Sequence, residues 1–287
     1  MFAQPTDLIS PLEDLGYVVD KELSTVLYLQ MKLEKPLLLE GPPGVGKTEA
    51  AYILSKLLGL ELIRLQCYEG LDVSSAVYEW NYQKQLLAIK LQEQSELTIQ
   101  EKEELIFSDE YLLKRPLLQA ISSAKQQVLL IDEIDRADEE FEAFLLELLS
   151  AFQISIPEMG TITATSKPLV VLTSNRTREL SDALKRRCLY YWVPYPTPEK
   201  ELRIIEKHLP GIEKDLSRQM VKIIQQLREL KLDKSPGIAE TLDWGKAILA
   251  LGLKELDEDG FKATVSALLK STNDIAIANH QMASTLA

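Results

Sequence analysis

A glycine-rich loop carries the clearest chemical pattern in the chain, Gly41-Pro42-Pro43-Gly44-Val45-Gly46-Lys47-Thr48. This run fits GxxxxGK followed by Ser or Thr, the pattern of phosphate-binding loops. Glycines allow backbone N–H groups to turn toward phosphate oxygens, and a following helix N-terminus adds partial positive charge. Lys47 is expected to reach the β- and γ-phosphates, and the Thr48 hydroxyl to ligate Mg²⁺. The loop therefore predicts binding of a nucleoside triphosphate such as ATP.

A second motif consists of two adjacent carboxylates, Asp132 and Glu133, after the apolar run Val128 to Ile131. Beside a phosphate-binding loop, such an aspartate holds Mg²⁺ and such a glutamate orients and deprotonates the attacking water. The alternative is that two acids simply begin a helix, where negative charge is favourable. The loop at Gly41 favours the catalytic interpretation. A glutamate in this place indicates hydrolysis rather than transfer, because no acceptor site for a metabolite is identifiable.

The elements that must position these groups are strands and helices in alternation. A helix is expected after Lys47, where apolar residues recur at helical spacing up to Gly59. Helical patterns also separate the strand candidates, so we expect a parallel sheet covered on both faces, with the ligand at the carboxyl ends of its strands. The strand candidates are Leu37 to Glu40, Glu61 to Gln66, Val128 to Asp132, Leu169 to Thr173 and Leu189 to Val193.

Domain limits follow from proline. Residues 194–198 contain three prolines, which prevent a strand or helix from continuing. We therefore predict an α/β nucleotide-binding core over residues 1–197 and a small helical lid domain over residues 198–287. Within the core, alternation and turn chemistry predict a β-hairpin over residues 152–165. The acidic stretch over residues 93–110 predicts a solvated helical insertion.

Composition argues against several classes of protein. The chain has 287 residues and a formal net charge of −12, most of it before Pro198. Nucleic-acid binding depends on Lys and Arg neutralising phosphates, so this balance argues against a DNA or RNA partner. No apolar run approaches the roughly 18 residues that indicate a transmembrane segment. The N-terminus shows no basic patch followed by an apolar stretch, so no secretory signal is visible and a cytoplasmic location is expected.

Cysteines and histidines give no sign of a metal site. Cys67 and Cys188 are the only cysteines, which excludes a disulfide framework and a Cys-rich zinc cluster. Both are expected to pack as small apolar groups. His208 and His280 have no neighbouring motif that would make either a metal ligand or a general base.

Four motifs in this order resemble those of AAA+ ATPases. The Walker A element is resembled by GPPGVGKT and the Walker B element by LLIDEIDRA. The strand that ends at Ser174-Asn175 resembles sensor 1, and ALKRRC resembles the arginine-finger element. DEIDRADEEFEAFLLELLSAFQISIPEMGTI and RELSDALKRRCLYYW are similar to the MoxR-type branch, in particular to its CoxD-like members. The resemblance runs from about Leu15 to about Ala250. It implies an AAA+ P-loop NTPase core, a five-stranded sheet with the AAA+ strand order, a β-hairpin insertion and a C-terminal helical lid.

The resemblance also implies site residues. Asn175 would be the sensor 1 residue that places the attacking water, although an Asn at a strand end can also cap a turn. Arg187 would be a finger that acts on the nucleotide of a neighbouring subunit, which can be worth roughly 10³ to 10⁵ in rate. Arg186 stays open as an alternative finger, and Arg136 is a weaker candidate for an intersubunit contact. The family often has a sensor 2 arginine in a Ser-Pro-Arg context, whereas residues 234–240 read KSPGIAE and contain no arginine.

Partners follow from the resemblance as well. It implies a homo-oligomer, a hexameric ring, that acts on a protein client with a partner bearing a von Willebrand factor A domain. CoxD-like members are associated with maturation of a metal centre, as in carbon monoxide dehydrogenase. Two alternatives stay open: a nucleic-acid remodelling or loading ATPase, and a nucleotide switch without hydrolysis. The hairpin tip carries Glu158 and Met159 rather than Lys or Arg, which favours a protein client, although a purely structural hairpin fits about as well.

Overall fold

The structure is a computed structural model that describes residues 2–91 and 98–286. The chain forms two compact units. We call Thr25–Glu40 with Leu54–Tyr191 the sheet unit, and Met1–Ser24 with Gly41–Ile53 and Trp192–Ala287 the helical unit. The boundary between residues 197 and 198 stays a prediction.

The strands are short and alternate with helices along the chain. The strands are β1 Leu37–Glu40, β2 Leu62–Gln66, β3 Tyr78–Trp80, β4 Leu112–Lys114, β5 Val128–Asp132, β6 Gln153–Ile156, β7 Gly160–Thr163, β8 Leu169–Ser174 and β9 Leu189–Trp192. The helices are α1 Ile9–Asp14, α2 Lys21–Leu33, α3 Lys47–Leu58, α4 Val73–Ala76, α5 Tyr82–Leu91, α6 Ile99–Ile106, α7 Pro116–Ser122, α8 Glu139–Ala151, α9 Asp182–Lys185, α10 Pro198–His208, α11 Lys214–Glu229, α12 Ile238–Ala250, α13 Glu258–Leu268 and α14 Thr272–Leu286.

The main sheet has five strands in the order β2-β5-β8-β1-β9, and this confirms the predicted fold class. Neighbouring strands run parallel where β2 meets β5, β5 meets β8 and β8 meets β1. Every residue of β1, β5 and β8 is buried, as expected of central strands covered on both faces. The five predicted strands are all present, with three ends shifted by one residue: β2 begins at Leu62, β8 ends at Ser174 and β9 ends at Trp192.

The predicted hairpin is confirmed and packs against the core of the sheet unit. Strands β6 and β7 are antiparallel, with Ile154 opposite Ile162. Ile154 and Ile156 are buried in the core, and Met159 packs against it from the turn. Because one face of the hairpin is buried, it contributes to the packing of the sheet unit, while Glu158 in the turn is exposed.

The predicted acidic insertion contains a helix in the part that the structure describes. Helix α6 lies within residues 93–110 and begins with a capping box, in which Thr98 and Glu101 bond each other's backbone N–H groups. Residues 92–97, part of the same prediction, lie outside the described residues. Within the described parts of the chain, no helix is both long and apolar enough to cross a membrane.

The helical unit has its own core, built mainly from the last five helices. Trp244 of α12 and Phe261 of α13 are fully buried and meet edge to face at 6.0 Å between ring centroids. The indole N–H of Trp244 donates to the Thr264 hydroxyl, so this large side chain is buried without an unsatisfied donor. The helical character predicted for the C-terminal region is thus present.

Both cysteines are free, and no disulfide is formed. Burial raises the pKa of the Cys67 thiol to about 12, with the nearby carboxylates Asp132, Asp135 and Glu133 adding to the effect. Burial likewise raises the pKa of Cys188 to about 12. Both thiols therefore stay protonated at neutral pH and pack as small groups.

Candidate functional site

The phosphate-binding loop lies in the helical unit and is closed by its own lysine. Lys47 is 6% exposed, and its ammonium donates to the carbonyl oxygens of Gly41 at 2.8 Å and Pro42 at 2.6 Å. Gly44 has φ +74°, a backbone conformation that glycine adopts without strain. A Cβ at Gly41 would lie 2.2 Å from the Val193 carbonyl oxygen, so only glycine fits there. The backbone of the loop thus turns at its glycines, as the motif predicts.

The stretch that stands in place of a sensor 2 arginine contacts this loop through its backbone. The N–H groups of Ile238 and Ala239 donate to the Gly44 carbonyl at 2.8 and 3.3 Å. The Gly237 N–H donates to the Glu240 carboxylate at 3.0 Å, which caps the start of α12. The first turn of α12 is therefore anchored on the loop by hydrogen bonds that need no arginine side chain.

A buried ion pair holds that turn in place. Arg228 bonds both carboxylate oxygens of Glu201, at 2.8 and 2.7 Å, and its Nε donates to the Pro236 carbonyl at 2.9 Å. The Thr241 hydroxyl, with its single proton, lies 2.9 Å from the Gly237 carbonyl oxygen and 3.2 Å from a Glu201 carboxylate oxygen. Charge-assisted, bidentate contacts of this kind are geometrically specific. They fix the Pro236–Gly237 turn and hence the hydrogen bonds to Gly44.

Tyr17 also contacts the loop. Its hydroxyl donates to the Gly46 carbonyl at 3.3 Å. Tyr17 belongs to the segment Leu15 to Val19, which lies just before helix α2. The hydrogen bond from Tyr17 is the first structural link between the segment and the loop.

Asp132 and Glu133 lie in the sheet unit, at the carboxyl end of β5. Asp132 is 2% exposed, and the Thr173 hydroxyl of β8 donates to its Oδ1 at 2.6 Å. The same hydroxyl accepts the Glu133 N–H at 2.9 Å. Glu133 has φ +56° and ψ +50°, the left-handed region that costs energy for a residue with a side chain. One threonine therefore holds both acidic residues and fixes the strained turn between them.

The Glu133 carboxylate is held from two sides. Asn175 donates through Nδ2 to Oε1 at 3.3 Å, and Gln66 donates through Nε2 to Oε2 at 3.2 Å. The structure thus brings together Asn175 and Glu133, as the sequence predicts, and adds Gln66 from the end of β2. The two amide donors fix the orientation of the carboxylate, as a general base requires.

An arginine approaches the Asp132 carboxylate from β2. Arg64 donates through Nη2 to Oδ2 at 2.6 Å and through Nε to the same oxygen at 3.1 Å. Its Nη2 also donates to the Gln66 side-chain oxygen. A single guanidinium therefore contacts Asp132 and the residue that holds Glu133.

The candidate fingers Arg186 and Arg187 follow β8 and α9, also in the sheet unit. The Arg187 guanidinium donates to the Ser150 hydroxyl and, through Nη1, to the Ala183 carbonyl at 2.8 Å. Arg186 and Arg136 are exposed. The Arg187 side chain therefore contacts residues of α8 and α9 in its own chain rather than Glu133.

The oxygen donors fit a magnesium ion carried by a nucleotide. Mg²⁺ is usually held through one or two protein oxygens together with waters and substrate phosphates. In the sheet unit, the buried Asp132 supplies a carboxylate of that kind. Across the residues that the structure describes, no group of three or more His, Cys, Asp or Glu side chains could hold a metal by itself.

The parallel sheet and the phosphate-loop motif together define a P-loop NTPase. The model of the AAA domain family, dynein-related subfamily, matches residues 36–188, which is more than half of the chain. The chain therefore belongs to this family of AAA+ ATPases.

Individual relatives are distant. The chain is 25% and 26% identical, over 205 residues in each case, to two uncharacterized proteins of Staphylococcus epidermidis, covering 69% of this chain and 70% of theirs. Among solved structures, a point mutant of RuvB from Thermotoga maritima has a TM-score of 0.51 at 20% identity, covering 86% of this chain and 68% of that one. A second RuvB point mutant has a TM-score of 0.51 at 19% identity, covering 86% and 67%. At this identity the RuvB structures confirm the AAA+ fold alone.

Replacing Thr173 by valine tests the role of its hydroxyl. Thr173→Val keeps the side-chain shape but leaves the Glu133 N–H without its acceptor and Asp132 without one donor. Unsatisfied buried groups cost about 1–3 kcal/mol, so we expect the free energy of unfolding to fall by about that amount. Urea denaturation measures it, with Thr163→Val at an exposed position of β7 as control. Equal stabilities of the two variants would contradict the assigned role.

Replacing Gly237 by alanine tests the contact between α12 and the loop. The new Cβ would lie 2.8 Å from both the Gly44 Cα and the Pro43 carbonyl oxygen. Overpacking of this kind costs about 1–3 kcal/mol, so we expect fluorescent ADP to bind about tenfold more weakly as the loop shifts. Ala239→Ser adds an atom at an exposed position of the same turn and should bind normally. Unchanged affinity in Gly237→Ala would show that the contact does not shape the loop.

Proposed function

We propose that this protein hydrolyses ATP with Mg²⁺ and uses the reaction to remodel a protein client. The carrying observation is the Glu133 carboxylate, fixed between the Asn175 and Gln66 amides and following a buried Asp132. A non-hydrolytic switch would have no need of a carboxylate oriented in this manner. Membership of the AAA+ ATPase family supports the same reaction.

Each group has a defined task in this proposal. The loop from Gly41 to Thr48 binds the phosphates, and Lys47 moves its ammonium from the loop carbonyls to the β- and γ-phosphate oxygens. Asp132 and the Thr48 hydroxyl would hold Mg²⁺, which supplies positive charge to the phosphates when it is bound. Glu133 takes a proton from the attacking water, and Asn175 orients that water.

The proposal includes a homo-oligomeric ring, which we take to be a hexamer. The Arg187 guanidinium would act on the nucleotide of a neighbouring subunit, where it stabilises charge on the transferring phosphoryl group. Its hydrogen bonds to Ser150 and Ala183 would hold it at the surface of its own chain. One cation of the catalytic site would then come from the neighbour, so that the reaction depends on assembly.

The client is proposed to be a protein. One stretch of the chain is similar to MoxR-type, CoxD-like ATPases and reads DEIDRADEEFEAFLLELLSAFQISIPEMGTI. This similarity supports a chaperone-like role in the cytoplasm. In that role the protein would act with a von Willebrand factor A domain partner in the maturation of a metalloenzyme centre. The negative charge before Pro198 favours a partner with a basic face. The exposed Glu158 in the hairpin turn, where a DNA-binding hairpin would carry a cation, supports the same choice.

The general base is tested by Glu133→Gln. We expect this variant to bind ATP with unchanged affinity and to lose at least about 10²-fold in phosphate release, since a positioned base contributes about 10² to 10⁴. Glu140→Gln changes an exposed acid of α8 and should hydrolyse ATP at the wild-type rate. Hydrolysis by Glu133→Gln at the wild-type rate would remove this residue from the mechanism. Its ATP-bound form is also the suitable bait for capturing the client.

The finger is tested by mixing two inactive variants. Arg187→Ala lacks the finger and Lys47→Ala lacks the loop cation, so a mixed ring combines an intact site of one with an intact finger of the other. We expect ATP hydrolysis to appear only in the mixture. Arg186→Ala, the adjacent exposed arginine, is the matched control and should be active alone. A mixture without activity would exclude a finger at Arg187 that acts between subunits.

A further inference from the structure

Glu40 is a buried carboxylate that has no part in the chemistry assigned so far. It is the last residue of β1 and is 3% exposed. A buried acid is costly unless hydrogen-bond donors surround it, so its partners indicate what it does. The Ser174 hydroxyl, at the end of β8, donates to the Glu40 Oε1 at 3.1 Å, and Tyr190 of β9 also hydrogen-bonds the Glu40 side chain. The carboxylate thus links β1 to the strands on both of its sides.

The register of the sheet brings Ser174 to Glu40. Strands β1 and β8 are parallel, with Glu40 opposite Ser174. Successive residues of a strand point to opposite faces, so Thr173 and Ser174 project from opposite faces of β8. The Thr173 hydroxyl donates to Asp132 on one neighbouring strand, and the Ser174 hydroxyl donates to Glu40 on the other. The carboxyl end of β8 is therefore held from both sides.

The turn that follows β8 is strained and is closed by Ser174. Arg176 has φ +57°, in the left-handed region that costs energy for a residue with a side chain. Its N–H donates to the Ser174 Oγ at 3.1 Å. Asn175 lies between these two residues and donates to Glu133 at 3.3 Å. The hydrogen bond between Ser174 and Arg176 therefore fixes the backbone from which the Asn175 amide reaches Glu133.

We propose that Glu40 is a positioning residue for Asn175 and acts through the Ser174 hydroxyl. This inference rests on the proposed ATPase function. Because the hydroxyl directs its single proton to Glu40, its oxygen lone pairs are left to accept the Arg176 N–H. The closed turn then holds the Asn175 amide where it contacts Glu133 and orients the attacking water. Glu40 would thus support the turnover of ATP without contacting the nucleotide.

The test separates turnover from nucleotide binding. Glu40 directly precedes Gly41, so a general disturbance of β1 would weaken binding of fluorescent methylanthraniloyl-ADP, whereas a displaced Asn175 would slow hydrolysis alone. Glu40→Leu keeps a side chain of similar size and removes the acceptor. We expect its single-turnover rate of ATP hydrolysis to fall about tenfold to 10²-fold, as a displacement of about 1 Å can cause, with its affinity for methylanthraniloyl-ADP within about twofold of wild type.

Two further variants and a control complete the comparison. Glu40→Gln keeps an acceptor oxygen for the Ser174 hydroxyl, so most of the rate should return. Ser174→Ala breaks the same path, should lose rate at unchanged affinity, and replaces Glu40→Leu should that variant fail to fold. Glu61→Leu is the matched control, because the exposed Glu61 also accepts a hydrogen bond across strands, from Gln127 at 2.9 Å, but precedes β2 instead of ending a strand. It should leave both quantities unchanged.

A double substitution tests the path through Asn175. Asn175→Ala removes the amide that Glu40 is proposed to place. In that background Glu40→Leu should change the single-turnover rate by less than about twofold, because residues that act as a unit are not additive. Radiolabelled ATP keeps the slow rates of these variants measurable.

The outcomes are distinct. A wild-type rate in Glu40→Leu and Ser174→Ala would overturn the role of Glu40 while the ATPase function stands, and so would a rate in Glu40→Gln as low as in Glu40→Leu. A loss of affinity that matches the loss of rate, or a full additional loss in the double variant, would do the same. Failure of the wild-type protein to hydrolyse the ATP that it binds would instead overturn the proposed function, and the inference with it. A slower rate at unchanged affinity that disappears in the Asn175→Ala background supports it.

Discussion

Two adjacent carboxylates at the end of a buried strand are the constraint around which the sheet unit is organised. Asp132 is almost fully buried, and Glu133 follows it in a strained left-handed conformation. Carboxylates this close repel each other, and hydrogen-bond donors and a cation offset that repulsion. Thr173 and Arg64 supply these to Asp132, while Gln66 and Asn175 serve Glu133. These partners come from the strands on either side of β5.

In the helical unit, the corresponding constraint is the shape of the phosphate-binding loop. Its glycines give the loop its turn, and the first turn of α12 fixes it through backbone donors to the Gly44 carbonyl. The buried pair Arg228 and Glu201 stabilises this arrangement from within the unit. The segment that lacks a sensor 2 arginine therefore still has a direct link to the loop. In this protein the link is built from main-chain atoms, which the sequence does not display.

The sequence was sufficient for most of the fold and for the acidic pair. Continuous apolar runs mark β1, β5 and β8, and the spacing of the loop motif is specific. Arg64 and Gln66 were missed because they act across strands, and only the register of β2 against β5 brings them to Asp132. Their signal was present as two polar residues at alternate positions of a strand. The contact of Gly237 with the loop depends on tertiary packing, which no local pattern encodes.

The most direct measurement is steady-state phosphate release by the purified wild-type protein at increasing ATP, with Mg²⁺ and with a chelator in its place. The loop and the fixed Glu133 predict release that saturates with ATP and stops when Mg²⁺ is removed. Phosphate release at the same rate with and without Mg²⁺ would contradict the account. So would the absence of phosphate release from assembled protein that has been shown to bind ATP.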